Sequence, residues 1–230
     1  MKYWAVVVAA GDGTRLGRKM RKAAVELSGK SLVSHSVSAV CQHPDCLGGV
    51  LVVHPEDQQV AGEWLRNGLD RELPFQVVAG GATRRESVQN GVATLAEMAR
   101  PDDLVAIHDG ARPLLHPQDL QRVLEMAHEN GAALLAEAVT DTLHRGDDQA
   151  SWDGFVDRDH LWRAQTPQIF RYSGLSEALR NNAGGKTDEV ECVVAAGQSV
   201  QFVQAGHLNL KITTPADLHL AQLLLDSRPS

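Results

Sequence analysis

Cysteine is scarce in this chain: Cys41, Cys46 and Cys192 are the three among 230 residues. An odd, small number cannot build a disulfide framework, and no pair has the C-x-x-C spacing of a zinc or redox site. Buried thiols in a reducing compartment are the expectation. Positive charge is also in deficit, with Lys+Arg 22 against Asp+Glu 29 and a formal net charge of −7. Neutralising a nucleic-acid backbone needs a basic surface, so general nucleic-acid binding is not expected. Any anionic ligand must instead meet a local concentration of cations. No apolar stretch reaches bilayer-spanning length. The apolar residues 3–10 run directly into Gly11-Asp12-Gly13 and a basic cluster, which suits a buried strand better than a signal peptide. A soluble cytoplasmic protein without membrane partners is expected. G-x-S-x-G and H-E-x-x-H are both missing, so neither an esterase elbow nor a zincin site is foreseen.

Hydrophobic residues at 43% and charged residues at 22% are ordinary globular values, and a chain of this length can bury a sizeable core. Valine-rich runs of strand length occur at 3–10, 49–54, 75–79 and 104–108. Between them, helical spacing appears in 31–42 (Val33, Val37, Val40), 84–99 (Val88, Val92, Leu95) and 117–130, which opens on Pro117 and stops at Gly131. Apolar strands alternating with helices predict an α/β, Rossmann-like, mostly parallel sheet with helices on both faces. Ligands in such folds sit beyond the carboxyl ends of the strands. After a strand-like run at 134–139 the rhythm breaks. Residues 140–165 are polar, carry Trp152 and Trp162, and have little core of their own, which marks a functional or interaction element. Helical patterns return at 173–181, 188–195 and 215–226, with a strand at 200–204. No internal repeat or low-complexity linker divides the chain, so residues 1–230 read as one domain with an excursion.

The first strand ends in Ala9-Ala10-Gly11-Asp12-Gly13-Thr14-Arg15-Leu16-Gly17. Two glycines let a turn pass close to a ligand with its N–H groups facing it. The dinucleotide fingerprint G-x-G-x-x-G fails at Leu16, and no G-x-x-x-x-G-K-[ST] phosphate loop occurs. Arg15, Arg18, Lys19, Arg21 and Lys22 then place five cations within eight residues. At the carboxyl end of a first strand, such a cluster would fold around a polyphosphate.

Ala9-Ala10-Gly11-x-Gly13-x-Arg15 followed by Lys22 resembles the signature loop of nucleotidyltransferases that activate sugar and polyol phosphates. Further motifs are Gly80-Gly81-Ala82-Thr83-Arg84-Arg85-Glu86-Ser87-Val88, His108-Asp109-Gly110-Ala111-Arg112-Pro113, Asp141-Thr142, Val156-Asp157-Arg158 and Gln165-Thr166-Pro167-Gln168. Thr187-Asp188-Glu189 and Asn209-Leu210-Lys211-Ile212-Thr213 complete the set. In this order they resemble the 2-C-methyl-D-erythritol 4-phosphate cytidylyltransferases of non-mevalonate isoprenoid synthesis, over nearly the whole chain.

The resemblance implies transfer of a cytidylyl group from CTP to methylerythritol phosphate, with release of pyrophosphate and no covalent enzyme intermediate. Catalysis is then positioning and charge neutralisation. It implies Arg15, Lys22, Lys211 and Arg158 as catalytic cations. Ala9, Ala10, Gly11, Gly13, Gly80, Gly81 and Ser87 would bind the nucleotide, although Ser87 also fits a helix cap. Asp109, Arg112, Thr142 and Thr166 would bind the acceptor; Asp109 could alternatively reach Mg²⁺, which is expected to ride mainly on the CTP phosphates. Thr187-Asp188-Glu189 reads as a helix cap with acidic first-turn residues, outside the site. Residues 139–163 resemble the family's β-arm, implying a homodimer in which Thr142 and Arg158 serve the partner's site. Two departures stand out. Arg21-Lys22-Ala23-Ala24 replaces a loop that usually has Pro before the lysine, which lowers pre-organisation and adds a charge. His144 stands where Lys is common, so a phosphate contact there would weaken above neutral pH. The competing readings are a cytidylyltransferase for another polyol phosphate, such as ribitol 5-phosphate, and a non-catalytic nucleotide-binding regulator.

Overall fold

The computed structural model describes residues 1–11, 21–181 and 188–227. In chain order the elements are β1 (Tyr3–Ala9), β2 (Glu26–Leu27), β3 (Lys30–Ser31), α1 (Leu32–Cys41), β4 (Cys46–Val53), α2 (Ala61–Gly68), β5 (Phe75–Ala79), α3 (Arg84–Thr94) and β6 (Leu104–Asp109). There follow α4 (Pro117–Asn130), β7 (Ala132–Ala138), β8 (Leu143–Gly146), β9 (Trp152–Val156), β10 (Trp162–Arg171), α5 (Tyr172–Asn181), α6 (Glu189–Ala195), β11 (Gln201–Gln204) and α7 (Pro215–Asp226). Single turns of 3-10 helix cover Lys22–Ala24, Pro55–Asp57 and Leu95–Glu97.

Seven strands form the main sheet in the order β11-β7-β10-β6-β1-β4-β5. The pairs β1·β4, β4·β5, β1·β6 and β7·β11 are parallel. Alternate residues of β1 enter opposite layers: Tyr3, Ala5 and Val7 meet α1, α2 and α4 through Val33, Val37, Leu65 and Leu120. Trp4 and Val6 meet α3, α5 and α6 through Val88, Val92, Leu175 and Val193. A strand covered on both faces has no polar side, which explains its unbroken apolar run. The helix ends follow local chemistry. Ser31 Oγ accepts the Ser34 N–H at the start of α1, Thr214 and Asp217 form a capping box on α7, and Gly131 closes α4 with φ 87°.

Within the main sheet β10 is the strand that the sequence reading lacks; α2 and the short strands β2 and β3 are also additions to it. The sequence reading runs the excursion to residue 165, whereas β10 begins at Trp162 and lies antiparallel between β6 and β7. Pro167 within the segment argues against a central strand. The sheet accommodates it at an irregularity, between Ala164 and Gln168, in the pairing with β7. The rest of the excursion is the hairpin β8–β9, outside the main sheet, with Trp152 69% and Phe155 64% exposed.

The sheet fixes where ligands can bind. From β1 the chain steps through β4 to β5 on one side and then returns to place β6 on the other. The strand order reverses at β1, and crevices open beside such a point at the carboxyl ends. Those ends lie side by side: Val8 is in register with Asp109, Ala9 with Val53, and Val53 with Ala79.

Helix α3 approaches β1 and β4 closely at Gly91, where an added Cβ would sit 2.6 Å from Val6 Cγ1 and 2.8 Å from Val52 Cγ2. Gly91→Ala is therefore expected to lose about 1–3 kcal/mol through overpacking, despite alanine's better helix propensity. Urea unfolding midpoints of the two proteins measure this.

Candidate active site

A cavity of about 660 Å³ opens at the carboxyl ends of β1, β4, β5 and β6. Its floor and walls are backbone-rich: Val8 to Gly11, Gly80 to Arg84, and Asp109 to Ala111. Lys22, His54 and Lys211 reach it from separate segments. Absent side chains set the closeness of its turns. A Cβ on Gly80 would stand 2.3 Å from Ala10 Cβ, and one on Gly110 would stand 2.8 Å from Ala9 Cβ. The Ser87 hydroxyl closes the glycine turn by accepting the Gly81 N–H at 3.1 Å and donating to the Thr83 carbonyl at 2.9 Å. The cap of α3 is Thr83, whose Oγ1 accepts the Glu86 N–H. Ser87 is thus not the helix cap; it is a buried group lining the cavity.

Asp109, at the end of β6, is the electrostatic centre. One carboxylate oxygen accepts from Arg84 Nε at 3.2 Å; the other lies 2.8 Å from Lys211 Nζ and 3.7 Å from Arg112 Nε. Burial by itself would push this carboxyl up. The positive field, Arg84 first and Lys211 next, outweighs burial and holds the group well below the usual carboxylate range. Arg84 is in turn held by Glu189, with Nη1 at 2.9 and 3.0 Å from the two carboxylate oxygens. Glu189 is 2% exposed, and desolvation keeps its carboxyl above its ordinary value despite Arg84.

A second set of bonds fixes Asp109 from behind. Burial pushes the His108 imidazole down to about 4, so the ring is neutral at pH 7. Its Nε2 faces the Arg112 carbonyl at 3.0 Å, an acceptor only, so that nitrogen carries the proton. Nδ1 then accepts from the Thr166 hydroxyl at 3.1 Å, and Thr166 Oγ1 accepts the Asp109 N–H at 3.0 Å. Lys211 is held from both sides. Buried Asn209 donates to Gln165 Oε1 and to the Thr166 carbonyl, and its own carbonyl accepts from Arg112 Nη1 at 2.7 Å. Ile212 is fully buried and donates its N–H to the Ala111 carbonyl.

Of the residues singled out from sequence, Ala9, Ala10, Gly11, Lys22, Gly80, Gly81, Ser87, Asp109 and Lys211 line this cavity. Arg15 and Gly13 lie outside the described residues, as does Thr187. Arg112 and Thr166 sit behind Asp109, buried among its supports. Thr142 and Arg158 are exposed on the hairpin segment, where Arg158 donates to the Thr140 carbonyl. Two expectations are corrected. Glu189 and Glu191 stand in the first turn of α6 as expected, but Asp188 at its N-cap makes no side-chain cap bond; its carboxylate accepts from Gln168 Nε2, while Glu189 also anchors the site through Arg84. Arg21 adds no charge to the cavity, because Asp57 and Glu56 hold its guanidinium. Sequence reasoning assigned no role to Arg84. A cation in the first turn opposes the helix dipole, and that conflict was the available signal.

The donor set bears on a metal. Among the described residues no three His, Cys, Asp or Glu side chains cluster as a cage, and Asp109 is the carboxylate lining the cavity. A hard divalent cation carried by phosphate oxygens, with at most one carboxylate, fits this set.

A mostly parallel sheet, a glycine-turned cavity at its switch point and cations converging on that space define a nucleotidyltransferase. The model of the IspD family, 2-C-methyl-D-erythritol 4-phosphate cytidylyltransferase, matches residues 3–227. The chain belongs to that family. It is 40% identical to the 2-C-methyl-D-erythritol 4-phosphate cytidylyltransferase of Stenotrophomonas maltophilia (strain R551-3), covering 98% of this chain and 97% of that one. It is 38% identical to the protein of the same name from Aromatoleum aromaticum, covering 100% and 97%. A solved 4-diphosphocytidyl-2C-methyl-D-erythritol synthase superposes with TM-score 0.81 at 32% identity, covering 98% and 99%. The solved 2-C-methyl-D-erythritol 4-phosphate cytidylyltransferase from Thermus thermophilus superposes with TM-score 0.77 at 29% identity, covering 98% and 100%.

Because Asp109 titrates below its ordinary value, its ionised form stabilises the fold at neutral pH. That contribution fades as pH falls through and below about 4. Asp109→Asn is accordingly expected to be less stable than wild type at pH 7, with the gap narrowing as pH approaches 3. Urea midpoints measured across that range would reveal it.

Proposed function

We propose that the cavity beside Asp109 is where this chain performs its family's reaction, joining a cytidylyl group from CTP to 2-C-methyl-D-erythritol 4-phosphate. The observation that carries this assignment is the convergence of Lys22 and Lys211 on one space floored by Ala9–Gly11 and Gly80–Gly81. An oxygen of the acceptor phosphate attacks the α-phosphorus of CTP in line. The bond to the bridging oxygen breaks, and pyrophosphate leaves with that electron pair. No side chain needs to become covalently attached, so fixed positive charge around the triphosphate is the main contribution. Lys22, together with Arg15, neutralises charge developing towards pyrophosphate, while Lys211 faces the α-phosphate and the acceptor phosphate. Backbone groups of Ala9, Ala10, Gly11, Gly13, Gly80 and Gly81, with Ser87, receive the base and ribose. Asp109 orients acceptor hydroxyls, with Arg112 and Thr166 fixing its position. Mg²⁺ bound with the triphosphate supplies further charge neutralisation. The relatives favour methylerythritol phosphate over ribitol 5-phosphate as acceptor, and catalysis over a non-catalytic regulator.

Residues 139–163 serve in this reading as a dimerisation arm. Trp152 and Phe155 expose large aromatic surface on a hairpin too small to bury it, and Thr142 and Arg158 do not line the cavity of their own subunit. Both facts are explained if the arm crosses to a second copy and delivers Thr142 and Arg158 to the acceptor phosphate there. Three buried, unpaired cysteines suit a reducing cytoplasm.

Pyrophosphate release from CTP with methylerythritol phosphate tests the assignment. Lys22→Ala is expected to lower kcat by roughly 10²–10³, the scale of one electrostatic stabiliser. Near-normal turnover of that variant, or preference for ribitol 5-phosphate, would count against it. Mixing Lys22→Ala subunits with Arg158→Ala subunits should restore activity, because one site in each mixed dimer then has an intact core and an intact arm. Mixed dimers without recovery would refute the exchange.

A further inference from the structure

We infer that Arg21 is a positioning residue that fixes Lys22 in the cavity by tying two of its walls together. This inference rests on the reading of Lys22 as a phosphate-facing cation. A lysine carries its charge on a long, rotatable stem, so where that charge can reach depends on how firmly the backbone beneath it is held. On the C-terminal side the hold is plain. Ala23 and Val25 are buried, Val25 donates its N–H to the Lys22 carbonyl at 3.2 Å, and Leu32 donates to the Val25 carbonyl at 2.7 Å. On the N-terminal side, among the described residues, the Arg21 side chain provides a hold. Its Nε lies 2.8 Å from both oxygens of Asp57, and Nη1 donates to Glu56 Oε2 at 2.7 Å.

Asp57 is an apt anchor. It is 6% exposed and ends the 3-10 turn Pro55–Asp57, which follows β4 directly. The Asp57 N–H donates to the His54 carbonyl at 2.9 Å, and the Asp57 carbonyl accepts the Val60 N–H at 3.1 Å. His54 and Pro55, at the start of that turn, line the cavity, as do Lys22 and Ala23. The Arg21–Asp57 pair therefore joins the Lys22 wall to the wall built on β4. A buried carboxylate left without its cation is costly, so the pair resists opening. Arg21 itself has φ −59° and ψ 145°, and its carbonyl accepts the Ala24 N–H at 3.1 Å to begin the next turn. That φ is the one a proline ring enforces, and the ψ lies in the polyproline region that proline readily adopts. An ionic tether here holds a backbone shape that a ring could hold covalently.

The test compares wild type with Arg21→Ala, Arg21→Pro, Asp57→Asn, Lys22→Ala and the double variant Arg21→Ala/Lys22→Ala. Pyrophosphate release gives kcat and the KM for CTP, and thermal unfolding is followed in parallel. Arg21→Ala is expected to lower kcat about tenfold or more, within the hundredfold scale of an ångström misplacement, with little change in KM. Asp57→Asn should reproduce that split from the other side of the tether, and Arg21→Pro should regain most of the lost kcat. In the Lys22→Ala background, removing Arg21 should cost nothing further. The tether is overturned if Arg21→Ala leaves kcat unchanged, or if it slows Lys22→Ala by the same factor as wild type. The latter result would mean that Arg21 acts on substrate directly. A well-folded wild-type chain that releases no pyrophosphate would instead overturn the functional reading and the tether together.

Discussion

A carboxylate enclosed by protein stays ionised only where positive charge surrounds it, and Asp109 meets that condition through three separate parts of the chain. Arg84 comes from the start of α3, Arg112 from the turn after β6, and Lys211 from the segment between β11 and α7. None of these is near another in sequence except Asp109 and Arg112. The cluster forms only when the seven-stranded sheet has set β6 beside β1 and the C-terminal segment has docked on Ala111. Glu189 extends the dependence to α6, because Arg84 spans the gap between the two carboxylates. Charge at the site is thus a property of the completed fold.

Rigidity comes from a different source. The relay from the Asp109 N–H through the Thr166 hydroxyl to neutral His108, and from His108 to the Arg112 carbonyl, satisfies each buried polar group in turn. It uses no exposed side chain, so ligand exchange in the cavity leaves it intact. Asn209 joins the same network to the segment that presents Lys211. Residues that never line the cavity therefore decide where its charges stand.

Much of this was legible in the sequence, and the pattern of success has physical causes. Strands buried on both faces announce themselves as valine runs, α4 carries its own start and stop signals in Pro117 and Gly131, and α7 shows itself by the spacing of Leu218, Ala221, Leu224 and Leu225. The glycine turns and the cavity-lining lysines stand in local motifs and were found. What the sequence hid is non-local. β10 is hidden because its first residues, 162–165, read with the polar excursion, while the cost of Pro167 in a sheet depends on neighbours that the local sequence does not show. Arg21 read as spare charge and Glu189 as a helix-end device, since an ion pair across 36 or 105 residues leaves no local trace.

The balance of charge within the cluster explains how an acidic protein can hold a polyanion. Three cations, Arg84, Arg112 and Lys211, stand against two carboxylates, Asp109 and Glu189, so the assembly is net positive before Lys22 is counted. Lys211 is the most exposed of the three and touches only the outer oxygen of Asp109. Were it to turn towards a phosphate, Asp109 would keep Arg84 and Arg112, and its ionisation would survive. The pair Lys211–Asp109 therefore works as a holding position. It keeps an ammonium at the cavity wall without neutralising the cluster as a whole. An arrangement with one cation per carboxylate could not release Lys211 without stranding a buried negative charge, which is why the surplus of arginine around Asp109 is the feature that makes the lysine available.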